Sequence, residues 1–127
     1  MKIIKILLEP KKTTIWLALC WTCLILFLSF KAPALNPKYT FPNEDKVVHF
    51  TFYFVFVFLW ARYLLKNRGL NLKKMMILIL IAILISVLIE IGQEFLTTNR
   101  SAEIEDIIAN SLGATSSAVF FYRFFKK

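Results

Sequence analysis

The residues of this sequence with the greatest chemical capacity are a carboxylate and a histidine set in apolar stretches. Glu90 lies inside one apolar run, and His49, the single histidine of the chain, lies near the start of another. An ionisable side chain near the centre of a membrane helix costs about 2.5–3.5 kcal/mol, so it needs a compensating role. A carboxylate can accept hydrogen bonds or a proton, and an imidazole can act as an acid, a base or a metal ligand. Glu90 and His49 are therefore the first candidates for a functional site.

A stripe of polar residues extends from Glu90 along one face of its predicted helix. Gln93 and Glu94 follow Glu90 by three and four positions, and Ser86 precedes it by four. Residues at these spacings lie on the same side of an α-helix, one turn apart. The stripe therefore runs from Ser86 toward one end of the helix.

Two other segments carry matching polar stripes that also begin at a polar end. In one of these stripes, Asn110 can hydrogen-bond to a neighbouring helix, and Gly113 allows the backbone of that helix to approach closely. We expect this neighbour to be the helix of Glu90. All three stripes should lie at one depth, on one side of the membrane. The two further stripes consist of Lys46, His49 and Tyr53, and of Asp106, Asn110, Gly113 and Ser117.

Most of these residues, taken singly, also have an ordinary structural explanation. Asp106 fits the first turn of a helix, Asn110 fits helix packing, and Lys46 and Arg100 fit head-group anchors. Glu90 has no comparable structural use in hydrocarbon. It is therefore the strongest indication of a function.

Four apolar stretches position these residues, and each is long enough to cross a membrane as a helix. Of the 127 residues, 58% are hydrophobic and only 19% are charged, whereas a soluble domain has about a quarter charged residues. A membrane β-barrel needs at least about eight strands of alternating polarity, which the sequence lacks. The sequence predicts an all-α integral membrane protein, a four-transmembrane-helix bundle that forms one domain over 1–127. The predicted helices cover 13–30, 47–65, 75–95 and 107–125.

Charged residues are divided unevenly between the two sides of this bundle. Twelve of the 16 lysines and arginines lie at the termini and around the connection at 66–74, whereas seven of the eight acids lie on the other side. By the positive-inside rule, both termini are cytoplasmic. The net charge of +8 then faces anionic lipid head groups, and nucleic acid is not an expected partner.

The first apolar stretch has one competing interpretation, a cleaved signal peptide. Ala32-Pro33-Ala34 follows it and has the A-x-A form of a cleavage site. The apolar run is longer than the usual signal-peptide core of about 7–15 residues, and Pro33 would hinder cleavage. We expect the first helix to be retained, although the sequence leaves cleavage open.

The ordered set of polar residues resembles the VanZ-like family of bacterial membrane proteins. The resemblance covers about 45–114, and the chain departs from it at Thr97 and Thr98, where members often have a proline before the arginine. It implies a multi-pass protein of the cell inner (cytoplasmic) membrane with a role in the cell envelope, but no settled activity. The motifs are Asp45-Lys46-x-x-His49, Glu90-x-x-Gln93, Arg100 and Asp106-x-x-x-Asn110-x-x-Gly113.

The first functional hypothesis is a binding module with an outward-facing polar pocket. In it Lys46 and Arg100 pair with a phosphate or carboxylate, while Glu90 and Asp106 accept hydrogen bonds from amines or hydroxyls. The ligand would be a membrane lipid head group or a lipid-linked envelope precursor. The predicted binding residues are Lys46, His49, Glu90, Gln93, Arg100, Asp106 and Asn110.

Two alternatives remain open. The first is an enzyme acting on a lipid-linked substrate, with Glu90 as general base and His49 as acid, base or metal ligand. No nucleophile motif is present, so enzymatic activity is uncertain and catalytic residues are unknown. The set Glu90, Glu94, Asp106 and His49 has no recognised metal-ligand spacing, so we expect neither a metal nor a cofactor. The second is a structural subunit that functions as an oligomer or with a partner protein.

Overall fold

The computed structural model describes residues 11–31, 44–97 and 102–125, and within these ranges every regular element is an α-helix. The helices enclose the predicted apolar stretches almost completely, and most ends extend by one to three residues. Arg100, the Ala32-Pro33-Ala34 sequence and most of the first connection lie outside the described residues. The helices are α1 (Lys11–Lys31), α2 (Glu44–Asn67), α3 (Leu72–Leu96) and α4 (Ile104–Phe124).

Three of the four helices are long and apolar enough to cross a membrane, namely α1, α2 and α3. Large apolar side chains on α3 point away from the protein, with Leu80, Leu84 and Leu88 all more than half exposed. Such a surface is stable against lipid and unfavourable against water. The all-helical membrane architecture is therefore supported by both composition and fold.

The fourth helix is less apolar because its inner face is made of small and polar residues. Asn110, Gly113 and Ser117 are all buried in the protein. These residues lower the average hydropathy of α4, although they do not face lipid.

The closest helix–helix contact joins α2 and α4. A Cβ atom added at Gly113 would lie only 2.2 Å from the carbonyl oxygen of Phe50, so the two backbones are in direct contact. Ala114, Ser117 and Ala118 are buried on the same side of α4. The expectation that the helix of Glu90 is the neighbour of α4 is confirmed for Asn110, which donates to Ser86 on α3. It is wrong for Gly113, because the close backbone approach is to α2, which α4 contacts more extensively than α3.

The first helix packs on the outside of this arrangement. Within the described residues α1 contacts α2 and α3 but not α4. The Trp21 indole nitrogen donates to the Phe52 carbonyl at 2.9 Å, and the Trp60 indole nitrogen donates to the Thr22 hydroxyl at 3.1 Å. These hydrogen bonds hold α1 against the core, away from the contact between α2 and α4.

A tight turn between α2 and α3 determines which helix ends meet. Gly69 has φ +69°, a left-handed conformation that glycine adopts readily, and Asn71 caps α3 by accepting from the Lys74 backbone N–H at 2.8 Å. The short turn makes α2 and α3 antiparallel. The start of α2, the end of α3 and the start of α4 therefore lie at the same end of the bundle.

Gly113→Ala should destabilise the protein because its new methyl group would overlap backbone that cannot move independently. Overpacking of this kind costs about 1–3 kcal/mol, so the melting temperature of the purified protein in detergent should fall by several degrees. Gly92→Ala is the matched control, since its methyl group would meet only the ring end of Phe30, at 3.0 Å. Equal melting temperatures for the two variants would contradict the proposed backbone contact.

Candidate functional site

The predicted site residues converge where the start of α2, the end of α3 and the start of α4 meet. Of the seven residues predicted to bind a ligand, the structure describes all but Arg100. Gln93 lies to one side of the group, against α1. The other five form one connected polar cluster, which consists of Lys46, His49, Glu90, Asp106 and Asn110.

Lys46 joins α2 to the start of α4. Its ammonium nitrogen lies 2.8 Å from a carboxylate oxygen of Asp45 and 2.8 Å from one of Glu103, and it donates a further hydrogen bond to Asp106 Oδ1. The side chain is only 19% exposed. An ammonium group has three N–H donors, and three carboxylates engage them. Lys46 is thus engaged by protein acids, and its pairing with a ligand phosphate or carboxylate stays a prediction.

His49 lies between Asp106 and Asn110, in contact with both. Its Nδ1 is 3.1 Å from Asn110 Oδ1, and its Nε2 is 3.3 Å from Asp106 Oδ2. The Asn110 amide nitrogen donates to the Ser86 hydroxyl at 2.7 Å, so the amide oxygen is the atom presented to His49. A chain of polar contacts therefore runs from α3 through α4 to α2.

Glu90 is the most enclosed member of the cluster, with only 1% of its surface exposed. Its Oε2 atom accepts a hydrogen bond from the Glu103 backbone N–H at 3.2 Å. Its Oε1 atom is buried and has no hydrogen-bond partner among the described residues. An unpaired buried polar atom costs about 1–3 kcal/mol, more when charged, and native proteins seldom retain one without a reason.

Two groups in this cluster have the geometry of a metal-ligand set. One ligand atom from each of His49, Glu90 and Asp106 lies within 4.8 Å of the other two. Asp45, Glu103 and Asp106 form the second group, and Lys46 lies among them. Spacing along the chain gave no indication of the first group because its members come from three helices.

Two predicted members of the polar stripe on α3 face elsewhere. The Gln93 amide nitrogen donates to the Ser29 carbonyl at 2.7 Å, so this side chain holds α1 to α3. Glu94 is exposed and belongs to neither metal-ligand group. The inner half of the stripe, Ser86 and Glu90, therefore contributes to the cluster more than its outer half.

Sequence reasoning missed Glu103, which contacts the cluster twice. Its carboxylate accepts from Lys46, and its backbone N–H donates to Glu90. The sequence placed it in the third connection, where an acidic residue has no distinctive spacing. The shortness of that connection was the available signal, since it forces the start of α4 against the end of α3.

A shallow groove of about 350 Å³ borders the cluster on the surface of α4. A larger apolar cavity of about 470 Å³ lies between α1, α2 and α3, toward the turn that joins α2 and α3. The open polar pocket predicted from the sequence remains a prediction. The groove is lined by Lys46, Glu105, Ile108, Ala109 and Leu112.

Comparison with known proteins places the chain in a family. It matches no curated protein and no solved structure significantly. The family model described as VanZ/LLP1 matches residues 14–126, which include every residue of the polar cluster and most of all four helices. The predicted resemblance is thereby confirmed, and this membrane protein belongs to the VanZ/LLP1 family.

Proposed function

We propose that this protein binds the polar head group of a membrane lipid, or of a lipid-linked envelope precursor, at the polar end of α2, α3 and α4. The observation that carries the proposal is the Glu90 carboxylate, which is buried among membrane helices with one oxygen unpaired. An ionisable residue inside the membrane is by default a candidate functional site. A ligand donor reaching Oε1 would satisfy that atom.

The charges of the cluster favour a head group that carries amine or hydroxyl donors. Lys46 is the single lysine or arginine in the described part of the cluster, and its donors are engaged by protein carboxylates. Hydrogen bonds from donors to carboxylates are the strong, charge-assisted kind. A complementary role for Arg100 toward a phosphate stays a prediction. The carboxylates in or beside the cluster are Asp45, Glu90, Glu103, Glu105 and Asp106.

The groove beside Lys46 supplies a route for an amphipathic ligand. Ile108 and Leu112 are both more than half exposed, and they line the groove together with Lys46 and Glu105. An acyl chain could lie along the apolar residues while the head group meets the charged ones. His49 and Asp106 are partly exposed at 17% and 12% of their side chains, so a head group could approach Glu90 past them.

We further propose that α4 is a fourth span and that both termini are cytoplasmic, in a bacterial inner membrane. Arg68, Lys73 and Lys74 lie at the turn between α2 and α3, and Arg123 lies in the last turn of α4. Four consecutive spans would place all four on the cytoplasmic side, as the positive-inside rule requires. The acidic cluster would then face outward.

Reporter fusions test this topology. Alkaline phosphatase fused after Leu70 should be inactive, after Thr97 active, and after Phe125 inactive again, because the enzyme matures only outside the cytoplasm. Phosphatase activity would be measured in whole cells and normalised to fusion protein. Activity after both Thr97 and Phe125 would contradict a fourth span.

Glu90→Gln should weaken head-group binding by replacing the proposed acceptor. We expect short-chain phosphatidylethanolamine, phosphatidylglycerol or an undecaprenyl-linked sugar to raise the melting temperature of the wild type in detergent, since a ligand that binds the folded state stabilises it. The variant should show at least a tenfold weaker apparent affinity. Response to the undecaprenyl compound alone would identify a precursor rather than a bulk lipid.

Glu94→Gln is the matched control, because it removes an exposed carboxylate from the same helix. It should respond to the ligand as the wild type does. Phosphatidic acid, which has the phosphate and acyl chains but no amine or additional hydroxyl, should stabilise the protein less. Equal loss of the response in both variants, or an equal response to phosphatidic acid, would contradict the proposed site.

A further inference from the structure

We infer that His49, Glu90 and Asp106 together bind a divalent transition-metal ion. The three side chains come from α2, α3 and α4, and one ligand atom of each lies within 4.8 Å of the other two. The inference deepens the proposed function, on which it rests for its biological purpose. The binding of the ion itself can be tested separately.

The surroundings of His49 suit the tautomer that a metal ion requires. Asn110 donates through its amide nitrogen to Ser86, so its amide oxygen faces His49 Nδ1 and can accept a hydrogen bond from the Nδ1–H group. That assignment leaves Nε2 with a lone pair, directed toward Asp106. Metal-binding histidines commonly donate their other N–H to an oxygen in this way.

The two carboxylates are oriented in the same manner, each with one oxygen engaged. Lys46 donates to Asp106 Oδ1, which leaves Oδ2 on the side of His49. The Glu103 backbone N–H donates to Glu90 Oε2, which leaves Oε1 buried and without a partner among the described residues. Each of the three candidate ligands therefore has one atom positioned by the protein and one atom free to coordinate.

The separation between His49 and Asp106 matches the spacing of two ligands on one ion. His49 Nε2 and Asp106 Oδ2 lie 3.3 Å apart. Bonds of about 2.0–2.2 Å to a zinc ion, meeting at a tetrahedral angle, place the two ligand atoms about 3.3–3.6 Å apart. The competing explanation is a protonated imidazole paired with the carboxylate, and it leaves the buried Glu90 Oε1 unaccounted for.

The donor set indicates the class of metal. One imidazole nitrogen with two carboxylate oxygens suits Zn²⁺, Mn²⁺ or Fe²⁺, whereas Ca²⁺ and Mg²⁺ favour oxygen ligands alone. The second acidic group, Asp45, Glu103 and Asp106, is a poor competitor because the Lys46 ammonium lies within hydrogen-bond distance of all three carboxylates. The ion should therefore bind on the inner side of Asp106.

A metal ion here would complete the proposed head-group site. Lys46 is occupied by carboxylates, so the described cluster has no other cation to meet a phosphate. A divalent ion held by three protein ligands retains positions for a ligand oxygen. The ion would take the place of the ligand donor at Glu90 Oε1 and hold the anionic part of a head group, while the remaining carboxylates meet its donors.

Zn²⁺ titration of the tag-free protein in detergent, followed by calorimetry, tests the inference directly. The wild type should bind one equivalent of Zn²⁺, and His49→Gln and Glu90→Gln should each weaken binding at least tenfold. Glu94→Gln, which alters an exposed carboxylate outside both metal-ligand groups, should bind as the wild type does. Absence of binding to the wild type, or an equal loss in this control variant, would overturn the inference.

A second measurement does not depend on any variant folding. Co²⁺ added to the wild type should produce visible absorption bands of a nitrogen- and oxygen-ligated ion, and equimolar Zn²⁺ should remove them. A Co²⁺ spectrum equal to that of Co²⁺ in buffer would overturn the inference.

Asn110→Ala should weaken Zn²⁺ binding about 10- to 100-fold, because it removes the group that orients His49.

The metal site and the head-group site can fail separately. Zn²⁺ binding without any stabilisation by lipid would support the metal site and contradict the proposed function. Lipid stabilisation that persists in EDTA, in a protein that binds no Zn²⁺, would support the proposed function and overturn the metal site. Lipid stabilisation lost in EDTA and restored by Zn²⁺ would support both.

Discussion

The close approach of α4 to α2 is the constraint on which the rest of the structure depends. Gly113 brings the α4 backbone against the Phe50 carbonyl, and this contact fixes the register of the two helices. Asn110 and Asp106 lie one and two turns before Gly113, on the same face. The register of the two helices alone therefore brings them next to Lys46 and His49. Backbone proximity therefore determines which polar groups form the cluster.

In the described part of the cluster one lysine pairs with three carboxylates, and Glu90 has no salt bridge. Lys46 forms ion pairs with Asp45, Glu103 and Asp106. Burying charged groups costs free energy that is offset only when the groups are paired and hydrogen-bonded. Glu90 receives a single backbone N–H on one oxygen. The ion pairs thus join the helix ends, while one carboxylate oxygen, Glu90 Oε1, has no partner among the described residues.

The sequence predicted the helices and the grouping of the polar residues at one end of the bundle, because apolar length and helical periodicity are local properties. It also predicted that Asn110 and Gly113 lie within a helix and face a neighbour, as they do. Asn110 bonds to the expected neighbour, α3, but Gly113 approaches α2 instead, because packing depends on how closely two particular surfaces fit. Glu103 was missed for a related reason: its contacts arise from the path of a short connection, which periodicity does not report.

Gln93 and Glu90 show why a purely structural role explains the cluster poorly. Gln93 links α3 to α1 through a neutral amide that donates to the Ser29 carbonyl, and such an amide needs no counter-charge. Glu90 lies one turn deeper and equally enclosed, where a second amide could have joined the helices at lower cost, since neutral groups are cheaper to bury than charged ones. A carboxylate at that position gains its advantage when a cation or a donor approaches Oε1. The choice of residue type at position 90 therefore favours binding over packing.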